Sequence, residues 1–78
     1  MVTGKLYRFM RIESIGVYAR SCYSGKLLRR IYKDDIVLAC KGYYKEVLSN
    51  YQYQQILCSD GQVGWIDLDR GQWSVIKT

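Results

Sequence analysis

Short runs rich in Val, Ile, Tyr and Trp, each cut off within a few residues by a turn-forming group, constrain this chain more than any other feature. Such runs are too short for ordinary helices, and their β-branched and aromatic side chains suit a pleated, half-buried surface. Strands are expected over Tyr7–Ile12, Val17–Arg20, Leu27–Tyr32, Ile36–Cys40, Tyr51–Cys58, Gln62–Ile66 and Trp73–Ile76. Turns or loops separate them at Glu13–Gly16, Ser21–Lys26, Lys33–Asp35, Ser49–Asn50 and Ser59–Gly61. The Asp60-Gly61 pair is the strongest local signal, because a hairpin turn needs a positive φ that glycine accepts. Tyr43–Leu48 reads either as a strand extension or as a short helical turn, and Asp67–Gly71 as one helical turn. Leu6, Phe9, Met10 and Glu13 would share a helical face, but Gly4 and Gly16 bracket that run and favour a strand.

A length of 78 residues makes one domain, spanning residues 1–78. A domain of this size buries only about 60% of the surface its unfolded chain exposes, which leaves little capacity for a deep cavity. The expected architecture is all-β: a small barrel of five to seven short strands with one short helical turn. Closure protects strand edges, and side chains fill the interior. Functional contacts then belong on the rim, in loops or in a shallow groove. An apolar fraction of 49% excludes disorder, and the absence of proline argues against a linker.

Charge is uneven. Residues 1–33 carry eight basic side chains against Glu13 alone, for a net +7, while residues 34–78 carry four basic and six acidic, for a net −2. A basic half favours an acidic protein surface or a nucleic acid, set against ordinary solvated Lys and Arg, since no more than two basic residues are adjacent. No apolar stretch is long enough for a signal-peptide core or a membrane span, so the expectation is a cytoplasmic protein without membrane contact. Cys22, Cys40 and Cys58 are odd in number, widely spaced and unaccompanied by histidine. They read as small buried hydrophobes rather than metal ligands, and no metal or other cofactor is expected. Without histidine a cysteine nucleophile lacks its usual base, and the Asp pairs at 34–35 and 67–69 fall in turns, where Asp bonds locally. The expectation is therefore not an enzyme.

Two segments go beyond generic strands. Val17-Tyr18-Ala19-Arg20-Ser21 resembles the Leu-Asn-Val-Arg-Ser signature near the start of bacterial SH3 (SH3b-type) domains. Asp60-Gly61-Gln62-Val63-Gly64-Trp65-Ile66 resembles that family's Gly-x-x-Gly-Trp-Val element near the end. Between them, Ile31–Val37 is similar to Leu-x-Lys-Gly-x-x-Val, and Tyr53–Ile56 to Trp-Tyr-x-Val. The similarity spans about residues 7–76. Asp34 stands where the family has a turn glycine, Tyr53-Gln54 replaces an aromatic pair, and Gly42–Asn50 is longer than the family needs. The resemblance implies an SH3-like barrel acting as a binding module; many such modules recognise peptides or cell-wall glycopeptide.

The candidate partner-binding residues are Tyr18, Arg20, Arg29, Arg30, Tyr32, Tyr43, Tyr44, Tyr53 and Trp65. They combine rigid aromatic area with cations, a pairing that suits interfaces. Some of these rings would instead plug barrel ends, and Trp65 reads more readily as core than as a contact. The first functional expectation is a protein partner, with the chain as adaptor, regulator or phage-encoded modulator of a host protein. Nucleic acid, held by Arg side chains and stacked tyrosines, is the alternative. Peptidoglycan is a second alternative.

Overall fold

The computed structural model describes residues 1–21, 25–48 and 50–77. Its elements are β1 (Leu6–Phe9), β2 (Ile15–Tyr18), β3 (Leu27–Ile31), β4 (Ile36–Lys45), β5 (Gln52–Cys58), β6 (Val63–Asp67), a 3₁₀ turn η1 (Leu68–Arg70) and β7 (Trp73–Val75). Among the described residues the protein is thus all-β, with seven antiparallel strands and one short helical turn, as its punctuation implies. The strands form one curled sheet in the order β3-β2-β6-β5-β4-β1-β7. The curl is a half-barrel rather than a fully hydrogen-bonded ring, because β3 and β7 end the pairing. Both ends are blunted as edge strands usually are: β7 has only three residues, and β3 carries Arg29 and Arg30. Backbone bonds between Phe9 and the β3–β4 turn (Phe9 N to Asp35 O, 2.9 Å; Asp34 N to Phe9 O, 2.8 Å) help hold the curl.

Alternation fills the interior. Tyr7 and Phe9 from β1, Ile15 and Val17 from β2, Ile31, Val37, Ala39, Ile56, Cys58 and Ile66 make one core. Trp73 packs on its margin, its ring 5.1 Å from that of Phe9. The Tyr7 hydroxyl stays satisfied by accepting from Val2 N at 2.7 Å. Cys58 is buried as expected, Cys40 is half-buried, and both are free thiols; Cys22 lies outside the described residues.

Turn chemistry follows the residues. In the β5–β6 hairpin, Gly61 takes φ +89°, Gly61 N donates to Cys58 O and Cys58 N donates to Gln62 O, a three-residue loop closed by its glycine. Asp34 has φ +73°, so the position where the resemblance has glycine does demand a left-handed backbone, and Asp tolerates it better than most side chains. The segment after Cys40 resolves as strand, carrying β4 to Lys45.

That extension is interrupted. Ala39 pairs with Ile56 and Tyr43 with Gln54, so β4 places extra residues in a bulge at 40–42. A bulge frees carbonyls from the ladder, and buried carbonyls need donors. Gln54, 3% exposed, provides them. Its Nε2 lies 2.7 Å from Cys40 O, 2.9 Å from Gly42 O and 2.9 Å from Gln55 O, dividing two protons among three acceptors.

Candidate functional site

If Val17, Ile56 and Ile66 point inward, their strand neighbours point out, and cross-strand register then decides which of them meet. Leu6 pairs with Leu38, Leu38 with Leu57, and Leu57 with Val63. One apolar row therefore crosses four strands on the outer face. Leu6 is 37% and Val63 44% exposed, with Leu38 and Leu57 half-buried. A second row runs beside it, in which Gln55 pairs with Trp65, Trp65 with Tyr18, and Tyr18 with Leu27.

Glycines set the posture of both aromatic rings in the second row. A Cβ on Gly16 would sit 2.8 Å from the Tyr18 hydroxyl and 2.9 Å from Tyr18 Cζ, so that ring lies back over Gly16. A Cβ on Gly42 would sit 2.8 Å from Trp65 Cη2 and 2.9 Å from Gln55 Cβ, so the indole lies over the bulge. Gly64 does the complementary work on the inner face. Its missing Cβ would fall 2.4 Å from Val17 Cγ1 and 3.0 Å from Tyr18 O, which lets β6 and β2 approach closely enough to join Tyr18 and Trp65. Trp65 is accordingly a half-buried outer residue, outside the core cluster.

The nine sequence candidates divide. Tyr18 and Trp65 are brought together. Tyr44 pairs with Tyr53, but Tyr53 is 1% exposed and its ring is not offered to a partner in this conformation. Tyr43, on the opposite face from Tyr44, is 51% exposed and donates its hydroxyl to Gln52 Oε1 at 2.8 Å. Tyr32 stands apart in the β3–β4 turn at 56% exposure. Arg29 is occupied internally, with Asp60 at 2.8 Å and Asp35 at 3.6 Å. Arg30 donates to Ser14 Oγ at 2.7 Å and to Ser14 O at 3.1 Å, and Arg20 is exposed just beyond β2. Sequence reasoning missed Leu6, Ile36, Leu38, Leu57 and Val63; alternation alone does not say which residues of an all-apolar strand face out.

Electrostatics sharpen the outer face. The acidic residues sit in turns, at strand ends or in η1, while the outer positions of the strands carry Arg8 and Arg30. Asp67, at the end of β6, is buried and paired with Arg70 at 3.7 Å. At the β5–β6 turn, the Gln62 backbone N–H and then the Arg29 guanidinium hold the Asp60 carboxyl below its ordinary range. Burial pushes the Cys58 thiol up, only partly opposed by Arg29. At the far end of the β4–β5 hairpin, Val47 and Leu48 are 89% and 98% exposed, within the Gly42–Asn50 stretch that the sequence marks as extra. No helix among the described residues is long and apolar enough to cross a membrane. Comparison with family models, with curated proteins and with solved structures finds no match to this chain.

Proposed function

We propose that this chain is a non-enzymatic SH3-like binding module that engages a protein partner through the outer face of its sheet. The observation that carries this reading is the pair of adjacent rows, Leu6–Leu38–Leu57–Val63 and Gln55–Trp65–Tyr18–Leu27, held by strand register on the side away from the core. The part of these apolar groups left in water adds nothing to the domain's own stability, whereas a partner that covers it removes that area from water, a favourable term of about 25 cal/mol per Å² before the costs of association. Rings laid back over glycines are pre-ordered and lose little entropy on binding. The four motifs that resemble SH3b domains support the same class of module.

Affinity purification of tagged wild-type protein and a Trp65→Ser variant, each with and without nuclease, tests the reading. Expected is nuclease-resistant protein recovery that falls at least tenfold in the variant. Recovery of nucleic acid instead, with strong salt dependence, would favour the nucleic-acid alternative and defeat the proposal.

A further inference from the structure

Between β1, β4 and β5 the first apolar row opens into a shallow groove of about 330 Å³, walled by Leu6, Ile36, Leu38 and Leu57, with Cys58 and Ser59 at the hairpin end. Its lining is aliphatic on the walls, and its volume is enough for one large side chain. One charge stands beside it on the same face. Arg8 lies directly opposite Ile36 and two residues along β1 from Leu6, which places its side chain at the groove's margin. Among the described residues the Arg8 side chain makes no ion pair or hydrogen bond, whereas those of Arg11, Arg29, Arg30 and Arg70 are all engaged. The acidic groups near that end of the groove are committed elsewhere. Asp35, next to Ile36, faces Arg29 and accepts from Tyr32 N at 2.8 Å, and Asp60 holds Arg29 at 2.8 Å.

We infer that this groove is an anchor site for a peptide segment carrying one large aliphatic or aromatic side chain next to a carboxylate, the side chain seated between Leu6, Ile36, Leu38 and Leu57 and the carboxylate on Arg8. The inference rests on the proposed protein-binding role and names its specificity. An apolar anchor alone would not distinguish partners, and an unpaired guanidinium at the rim supplies the distinction, since a basic flank would be repelled there. A second copy of this chain is a poor occupant. Two such faces would bring two Arg8 side chains together on molecules that each carry +5.

Three capped pentapeptides serve as probes: a leucine flanked by Asp and Glu, the same leucine flanked by Lys, and the acidic sequence with Ser in place of Leu. Binding is read from methyl chemical shifts of Ile36, Leu38 and Leu57 in wild-type protein and in Arg8→Glu, an exposed charge reversal that leaves the core untouched. Expected are saturable shifts at these methyls with the acidic leucine peptide, at least fivefold weaker binding of the other two, and a reversed charge preference in Arg8→Glu. Equal binding of acidic and basic leucine peptides, or an unaltered preference in Arg8→Glu, would overturn the inference. Methyl shifts confined to Leu27, in the row of Tyr18 and Trp65, would also overturn it while leaving the outer face as the binding surface. No shift anywhere would remove the anchor site without touching the purification test above.

Discussion

Replacing Gly64 with alanine is the sharpest structural perturbation of the outer face, and it acts from the inside. The added methyl would lie 2.4 Å from Val17 Cγ1, 3.0 Å from the backbone oxygen of Tyr18 and 3.3 Å from Leu28 Cδ1. Carbon atoms in contact prefer about 3.5–4.0 Å, so the overlap with Val17 exceeds roughly 1 Å. Val17 is fully buried and cannot swing into solvent, and Tyr18 O belongs to the strand itself. Overpacking of this kind costs about 1–3 kcal/mol, and the smaller unfolded-state entropy of alanine returns at most about 1. The 2.4 Å approach puts the overpacking at the upper end of that range, so a net loss of about 2 kcal/mol follows, against a total of roughly 4–12 kcal/mol for a chain of 78 residues. Urea unfolding followed by tryptophan fluorescence measures it directly, and the melting temperature should fall by roughly 8–16 °C. The partner in the clash is identified by a double-mutant cycle. Val17→Ala alone opens a cavity and destabilises by about 2 kcal/mol, yet Gly64→Ala/Val17→Ala should be at least 1 kcal/mol more stable than the two costs summed. A Gly64→Ala protein within 0.5 kcal/mol of wild type, or strictly additive costs, would refute the close approach of β6 to β2.

Gln54→Leu leaves the carbonyls of Cys40 and Gly42 without their side-chain donor, and a loss of about 2–4 kcal/mol in chemical denaturation is expected. Gly42→Ala brings a methyl 2.8 Å from Trp65 Cη2, so the indole must lift; a shifted Trp65 emission maximum with a loss below about 2 kcal/mol checks this. Cys58 has its thiol pKa raised by burial, so the unfolded chain releases that proton first, and stability should decline as pH rises through the ordinary thiol range. Denaturation midpoints measured across that range should fall in wild type and fall less steeply in Cys58→Ala.

Local chemistry was legible where a residue type is nearly sufficient by itself. Asp60-Gly61 specified its turn, Asp67–Gly71 its single helical turn, and the β-branched runs their strands, with ends within three residues except at β4, which runs five residues past Cys40 to Lys45. Asp34 shows the same logic: the backbone wants a left-handed residue there, and the sequence supplies one of the few non-glycine types that accept it. What stayed hidden depends on pairing across distance. Leu6, Leu38, Leu57 and Val63 become neighbours only once three strand registers are set, and Ile36 to Cys40 is apolar at every position, so alternation does not reveal its outer side. Gln54 looked like a departure from an aromatic pair; its reason is the bulge beside it, which no periodicity announces. The charge of Arg29 suggests a partner contact, but two carboxylates from separate turns occupy it, and Tyr53 reads as a ring near a strand end, where the fold buries it.

The central claim is that recognition occurs on the outer face of the sheet. A photo-crosslinking side chain placed at Val63, which is 44% exposed at the β6 end of the first apolar row, reports on it directly, with the same group at Lys77 as control. Cross-linked protein recovered from position 63 and lost when Trp65→Ser is added is the expected result. Equal cross-linking from both positions, or cross-links only from position 77, would contradict it.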